Sequence, residues 1–425
     1  VQLDQAKQLR ELESQLNAEY QAILAKKLNL DLTRGKPSSD QLDLSDALDG
    51  ILNGNYIAAD GTDTRNYGGL DGLPEAKKLG ANIMGVEAAN VLVGGSSSLT
   101  LMFQVALNAH LFGLKDAASA WKHEGDIAFL CPVPGYDRHF TICEQLGIKM
   151  INVPMTATGP DMDIVENLIK SDSKIKGIWC VPKYSNPTGV VYSNETVERI
   201  AKLGKIASPN FRVFWDNAYA VHDLIDNPPQ LASILEATKK HNTEDSVIQF
   251  ASTSKITQAG AGVAFVAASA TNLAGFKKAL SACTIGPDKV NQIRHTRFLP
   301  DRSALMAHMK KHAELLNPRF SAVLDALAKA FDGTDLGNWE KPVGGYFVSF
   351  DTRKNCAKET VRLAAEAGVK LTPAGATFPY GKDPDDRNIR IAPSVPTVPD
   401  VVAAMQVFVV CVKLASVRQD LAALG

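Results

Sequence analysis

Val247-Ile248-Gln249-Phe250-Ala251-Ser252-Thr253-Ser254-Lys255 is a short apolar run that breaks off into hydroxyls and ends on a lysine. Runs of the same texture recur along the chain: Ile127-Ala128-Phe129-Leu130, Gly177-Ile178-Trp179-Cys180-Val181, Val213-Phe214-Trp215 and Val263-Ala264-Phe265-Val266. They end in Gly, Pro, Asp or Asn and alternate with helical patterns. Such runs suit strands buried on both faces, hence a mainly parallel sheet covered by helices. In that architecture ligands bind at the loops beyond the strands' carboxyl ends. The residues just after each run are therefore the ones to examine.

After Val91-Leu92-Val93 comes Gly94-Gly95-Ser96-Ser97-Ser98, ahead of a helical pattern with Leu99, Met102, Phe103 and Ala106 on one face. Glycines allow close backbone approach and the free N–H groups of a helix start attract an anion, although a plain capping turn accounts for the same residues. Pro134-Gly135-Tyr136 follows the run at 127–130; its tyrosine can stack on a planar ring or sit in the core. Tyr184-Ser185-Asn186-Pro187-Thr188-Gly189 follows the run at 177–181 and is a turn, with the Asn186 amide free to bond a ligand oxygen. Asp216-Asn217-Ala218-Tyr219 follows Phe214-Trp215. A carboxylate at the end of a buried strand needs a cationic partner or serves as a helix cap. Lys255 itself reads alone as a solvated lysine; burial among hydroxyls and charges would make it a nucleophilic amine.

Outside these stations, residues 4–28 read as an amphipathic helix with Leu9, Leu12, Leu16, Tyr20, Ile23 and Leu24 on one face. Ala304 to Phe331 reads as a long helical stretch interrupted at Pro318, a kink or a bridge between domains. Strand-like Gly345–Phe350, a helix near 356–367 and a short strand Val369-Lys370-Leu371 make the pattern of a smaller α+β domain. The expected division of the 425 residues is 1–50 (N-terminal helix and active-site loop, part of the small domain), 51–310 (large domain) and 311–425 (small domain).

Hydrophobic residues at 45% and charged residues at 21% are an ordinary globular balance, which excludes disorder. Lys+Arg 45 against Asp+Glu 46 leaves no basic stripe for nucleic acid. Cysteines 131, 143, 180, 283, 356 and 411 form no C-x-x-C pair, so buried reduced thiols and no metal are expected. Val1-Gln2-Leu3-Asp4-Gln5 lacks a signal-peptide profile, and no apolar run approaches the about 18 residues of a membrane span. A soluble, cytoplasmic protein is the expectation.

Taken together, in this order and over nearly the whole chain, the stations resemble the fold-type I pyridoxal-phosphate (PLP) enzymes, specifically the class I/II aminotransferases. The resemblance implies the α/β type I transferase fold: a large domain with a mainly parallel seven-stranded sheet sandwiched by helices, plus the smaller α+β domain. It implies pyridoxal 5′-phosphate as cofactor. Gly95, Ser96 and Ser97 match the family's phosphate loop, Tyr136 its ring-stacking aromatic, and Asn186 and Tyr219 its partners of the phenolic oxygen. Asp216 matches the pyridine-nitrogen partner, Ser252 and Ser254 the phosphate hydroxyls, and Lys255 the Schiff-base lysine. Asp216, Tyr219 and Lys255 are then the catalytic set. Tyr67, in Tyr67-Gly68-Gly69-Leu70-Asp71-Gly72-Leu73, matches the tyrosine that reaches the partner subunit's phosphate, implying a homodimer with shared sites. Gly344-Gly345-Tyr346-Phe347 resembles the small-domain G-G-x-F strand, and Arg390 stands where the family grips the substrate α-carboxylate.

One departure stands out. The family's phosphate arginine, seven or eight residues past the lysine, is replaced by Gly262 and Val263, which removes a charge-assisted contact. Leu32-Thr33-Arg34-Gly35-Lys36-Pro37-Ser38 resembles the active-site loop of a divergent bacterial branch of the aspartate aminotransferase kind. Arg34, and Arg65 from a partner subunit, are candidates for a dicarboxylate side chain, with a structural salt bridge as the alternative for Arg34. The expected activity is ping-pong transfer of an amino group between an amino acid and a 2-oxo acid, aspartate with 2-oxoglutarate foremost. Alternatives are alanine or another donor, for example with glyoxylate, a PLP-dependent lyase, and a PLP-sensing regulator domain, which would need a basic DNA-binding module ahead of it.

Overall fold

The computed structural model describes residues 2–424, so Val1, at the head of the expected N-terminal segment, and Gly425 lie outside the described residues. The main sheet has the spatial order Val91–Val93, Ala264–Ala268, Val247–Ser252, Arg212–Asp216, Ile175–Cys180, Ala128–Val133, Lys149–Thr156, and a two-residue edge strand, Gly159–Pro160. Seven strands are thus present as expected, with a short eighth hooked onto the edge. From Val247–Ser252 to Lys149–Thr156 all neighbours are parallel. Ala264–Ala268 runs antiparallel to both its neighbours.

The central strands are buried along their length, which is why their sequences are apolar without alternation. Successive residues feed opposite faces: Val213 and Trp215 join one core layer with Ile178 and Leu130, while Phe214 joins the other with Phe129, Trp179 and Phe250. A further core gathers Leu16, Tyr20 and Ile23 of the first helix with Phe320, Val323 and Leu327, Phe350, and Phe408. It includes a three-stranded antiparallel sheet, Gly337–Trp339, Val348–Thr352 and Asn388–Ile391. Leu30–Leu32 pairs in parallel with Val369–Leu371, tying the N-terminal segment to this part of the chain.

Several expectations are corrected. The first helix is Gln2–Leu24 and ends short of residue 28; Leu12 is 45% exposed rather than on the packed face. Arg302–Phe331 is one helix through Pro318, not two pieces, and the Arg319 guanidinium donates to the Leu315 carbonyl at 2.7 Å beside the proline. It spans both cores, with Leu305 and Met309 under the main sheet and Leu316 to Phe331 in the other. The strand expected from Gly345 begins at Val348. Gly344 and Gly345 instead pack on Tyr184: a Cβ at Gly344 would lie 2.1 Å from its ring, and Gly345 takes φ +77°. Cys283 is exposed, the other five thiols are buried, and all six are free. Contrary to the expectation from unbroken apolar runs, Val398–Leu424 is long and apolar enough to cross a membrane by length and composition, its apolar run being interrupted at Gln406 and Lys413. Some 67% of its most apolar window is buried inside the fold, as in a core helix.

Candidate active site

Strands that share a direction present their carboxyl ends on one edge of the sheet, so the loops after Val91–Val93, Ala128–Val133, Ile175–Cys180, Arg212–Asp216 and Val247–Ser252 converge. There they enclose a cavity of about 240 Å³ lined by Ser97, Ser98, Tyr136, Asn186, Asp216, Tyr219, Ser252, Ser254, Lys255 and Arg390, among others. The Arg34-Gly35-Lys36 loop closes over it.

Asp216 is buried at the end of its strand, and its Oδ2 lies 2.8 Å from His139 Nε2. Its Oδ1 is buried with no partner among the described residues. An unsatisfied buried carboxylate oxygen is costly, so the geometry leaves a place for one more donor, as the protonated ring nitrogen of PLP would provide. His139 did not emerge from the sequence. The only signal was its position one turn into the helix Asp137–Gln145, three residues past Tyr136. It lies flat on Trp179, with centroids 4.4 Å apart and planes at 9°, and edge-on to Tyr136 at 4.9 Å.

Lys255 Nζ lies over the rings of Tyr219 and Tyr346, 5.0 and 5.7 Å from their centroids. It makes no hydrogen bond or ion pair to the described residues. Burial pulls its pKa below the ordinary lysine value; Asp216 opposes this and Arg390 adds to it. Tyr219 is fully buried, and burial raises its phenol well above the usual range. The amine is thereby biased towards its neutral, nucleophilic form.

Arg390 is 4% exposed and lies on Asn388–Ile391. Its Nη1 donates to Asn186 Oδ1 at 3.2 Å and to Asp137 Oδ1 at 3.3 Å, and Nη2 to the Thr33 carbonyl at 3.4 Å. Its guanidinium sits 4.8 Å over the Phe347 ring. Asn186 owes its position to a tight turn in which Tyr184 takes φ +50°, held by a 2.6 Å bond from its hydroxyl to Asp223. The sequence pointed to Asn186 and Arg390 separately; their contact, and the neighbouring Asp137, are tertiary facts.

Of the expected phosphate residues, Ser97, Ser252 and Ser254 line the cavity, together with Ser98 at the start of the helix Ser98–Leu111. Gly95 and Ser96 do not: both are exposed on the rim, where the Ser96 carbonyl accepts from the Ser254 hydroxyl at 3.5 Å. Gly262 lies close behind the loop, since a Cβ there would meet Thr253 Oγ1 at 3.0 Å and the Ser254 nitrogen at 3.3 Å. Tyr67 is 81% exposed and outside the cavity. Arg65 is beside it, chelated by Asp63 at 2.7 and 2.9 Å and stacked 5.1 Å over Tyr56. Neither reaches the site of its own chain. Arg34 is exposed at the cavity mouth and its side chain is in no ion pair or hydrogen bond with the described residues.

The fold and the arrangement of lysine, buried carboxylate, asparagine and arginine define a PLP-dependent enzyme of fold type I. Residues 5–423 match the aspartate amino-transferase family, and the chain belongs to it: it is an aminotransferase with pyridoxal phosphate as cofactor. It is 44% identical over 402 residues, 94% of this chain and 93% of the other, to the aspartate aminotransferase of Corynebacterium glutamicum. The crystal structure of an aspartate transaminase from that organism superposes with a TM-score of 0.94 at 42% identity, covering 97% of each chain. LysN, an α-aminoadipate aminotransferase of Thermus thermophilus solved with N-(5′-phosphopyridoxyl)-L-leucine, shares the fold at a TM-score of 0.74 and 20% identity, over 96% of each chain.

Proposed function

We propose that this aminotransferase uses a dicarboxylic amino acid, aspartate with 2-oxoglutarate as the exchanging pair, and works as a cytoplasmic homodimer. The observation that supports the substrate is Arg34, a cation at the mouth of the cavity that is unpaired among the described residues, in a lining that also holds Arg390. Two guanidinium groups on one small cavity suit a substrate with two carboxylates. The naming of the Corynebacterium relative agrees with that choice. The exposed Tyr67 and Arg65 support the dimer, since a side chain so far out of its own site needs a second chain to act on.

In this reading Ser97, Ser98, Ser252 and Ser254 hold the cofactor phosphate, Asp216 the ring nitrogen, Asn186 and Tyr219 the phenolic oxygen, and Lys255 the reactive carbon. When bound, PLP supplies a carbonyl that takes the amino group and a conjugated ring that accepts the electrons of the Cα–H bond. Asp216, oriented by its contact with His139, turns its free oxygen to the ring nitrogen and would pair with that nitrogen in its protonated form. Arg390 displaces its contact with Asp137 to grip the α-carboxylate, and with Asn186 fixes the substrate so that Cα–H faces Lys255. Lys255, biased towards its neutral form by burial, would take the proton from Cα and deliver it to the carbon that carried the cofactor's aldehyde. One site serving two successive acids makes the kinetics ping-pong.

The test compares kcat/KM for aspartate and alanine in Arg34→Ala and Arg65→Ala. A side-chain role predicts a loss of about 2 kcal/mol or more confined to aspartate in at least one variant. Equal losses on both amino acids in both variants sink the dicarboxylate reading.

A further inference from the structure

The turn that bears Lys255 is gripped from outside the cavity. The Ile256 carbonyl, one residue past the lysine, accepts from His308 Nε2 at 2.6 Å and from His312 Nε2 at 2.8 Å. Both histidines are buried, one helical turn apart on Arg302–Phe331, and neither lines the cavity. A carbonyl only accepts, so His312 bears its proton on Nε2 and its Nδ1 is an acceptor. Gln41 Nε2 lies 3.1 Å from that Nδ1 and donates its other proton to the Tyr346 hydroxyl at 2.9 Å. Gln41 Oε1 accepts from the Ser38 backbone at 3.1 Å and from its hydroxyl at 3.2 Å. Gln41 is 0% exposed, and these bonds fix which way its amide faces.

Two lines of contact therefore join the loop over the cavity to the lysine. One runs from Ser38 through Gln41 and His312 to the carbonyl beside Lys255. The other runs from Gln41 to Tyr346, whose ring faces the lysine amine. Ser38 ends the segment whose Arg34 and Lys36 line the cavity mouth. Filling this volume needs only apolar side chains. A buried polar chain with each member satisfied does more, because it admits one geometry.

We propose that Gln41 and His312 are positioning residues for Lys255, locking its turn in register with the loop that presents Arg34 and Lys36. Substrate-facing cations and the reactive amine then share one frame. The inference rests on Lys255 being the reactive amine, but not on aspartate being the substrate.

The experiment uses the full chain stripped of cofactor. Lysines are competitively acetylated with acetic anhydride between about pH 6 and pH 11, and the Lys255 peptide is quantified by mass spectrometry to give its pKa and reactivity. Loosening the turn admits water to the amine, so Gln41→Leu and His312→Leu raise the Lys255 pKa by about one pH unit or more. His312→Gln, which keeps a donor for Ile256 and an acceptor for Gln41, stays close to the parent. The double Leu variant resembles either single variant rather than their sum. Asp216 and Arg390, the charged groups acting on Lys255, are untouched by these changes; His222 feels both Lys255 and His312, an influence that His312→Leu and His312→Gln remove alike and that Gln41→Leu leaves in place. With cofactor and amino acid, the Leu variants lose kcat about tenfold with little change in KM. A Lys255 profile unchanged in the Leu variants overturns the proposal, even if melting temperature falls. If His312→Leu fails to fold, Gln41→Leu and Tyr346→Phe make the same comparison, and parent-like labelling in both overturns it. Failure of aspartate as a substrate leaves the labelling result standing, so the two readings fail separately.

Discussion

His139 Nε2 stands 2.8 Å from Asp216 Oδ2, while the other oxygen of the same carboxylate is buried without a partner. In the proposed reading the pair makes two members of a three-body arrangement, and the cofactor's ring nitrogen would be the third. Asp216→Asn removes the charge but not the volume, and kcat should fall by about 10²–10³, as when one preorganised electrostatic partner is lost. His139→Phe keeps the stack on Trp179 and removes only the hydrogen bond, so its loss should be about tenfold. Single-turnover rates of the half-reaction measure both. A larger effect in His139→Phe than in Asp216→Asn would contradict this order.

Arg390 is shared between Asn186 and Asp137 before any substrate arrives. Arg390→Ala leaves the Asp137 carboxylate without its cation and, in the proposed reading, removes the group that grips the α-carboxylate. The kcat/KM should fall by about 2–5 kcal/mol for every amino acid, aspartate and alanine alike. That uniformity separates Arg390 from Arg34, whose loss should discriminate between them.

Burial lowers the pKa of His295 and His308, takes that of His312 to about 4, and lowers His222 well below the ordinary 6.5. The folded chain then holds these rings neutral while the unfolded chain protonates them below about pH 6.5. Their contribution is present above that pH and is lost as pH falls towards 4. His312 alone should remove roughly 2 kcal/mol between about pH 7.5 and pH 5. Lys255 acts in the same sense at higher pH, stability rising as pH climbs towards 10.5. Urea unfolding of the apoenzyme at the two acid-side pH values tests the histidines, and His312→Gln should flatten the difference.

Gly262 occupies a place where the family resemblance implies an arginine, yet a Cβ there would press on Thr253 Oγ1 and the Ser254 nitrogen. Gly262→Ala should cost about 1–3 kcal/mol of stability by overpacking. Gly262→Arg should weaken cofactor retention instead of strengthening it, measured by equilibrium dialysis against free PLP. Tighter retention would show that the loop has room for the charge after all.

Much of this was legible before any coordinates. Strands buried on both faces must be apolar throughout, so the runs ending at Asp216 and before Lys255 announced the sheet and, with it, the edge where ligands bind. Of the small-residue turn, Ser97 and Ser98 line the cavity while Gly95 and Ser96 stand exposed on its rim, a division set by packing and not by local pattern. The helix Val398–Leu424 does not show as an unbroken apolar run because Gln406 and Lys413 interrupt it, and only packing shows that most of it is covered. Pro318 suggested a kink or a bridge between domains, and the unbroken helix Arg302–Phe331 does span both cores.

The sequence by itself determined the class of fold and the identity of the chemical groups, because strand burial, turn residues and motif order are local properties written along the chain. Tertiary structure alone decided which groups meet. His139 reaches Asp216 from 77 positions away, Arg390 reaches Asn186 from 204, and Gln41 reaches His312 from 271. Contacts at such separations depend on how layers pack, and no local pattern encodes them.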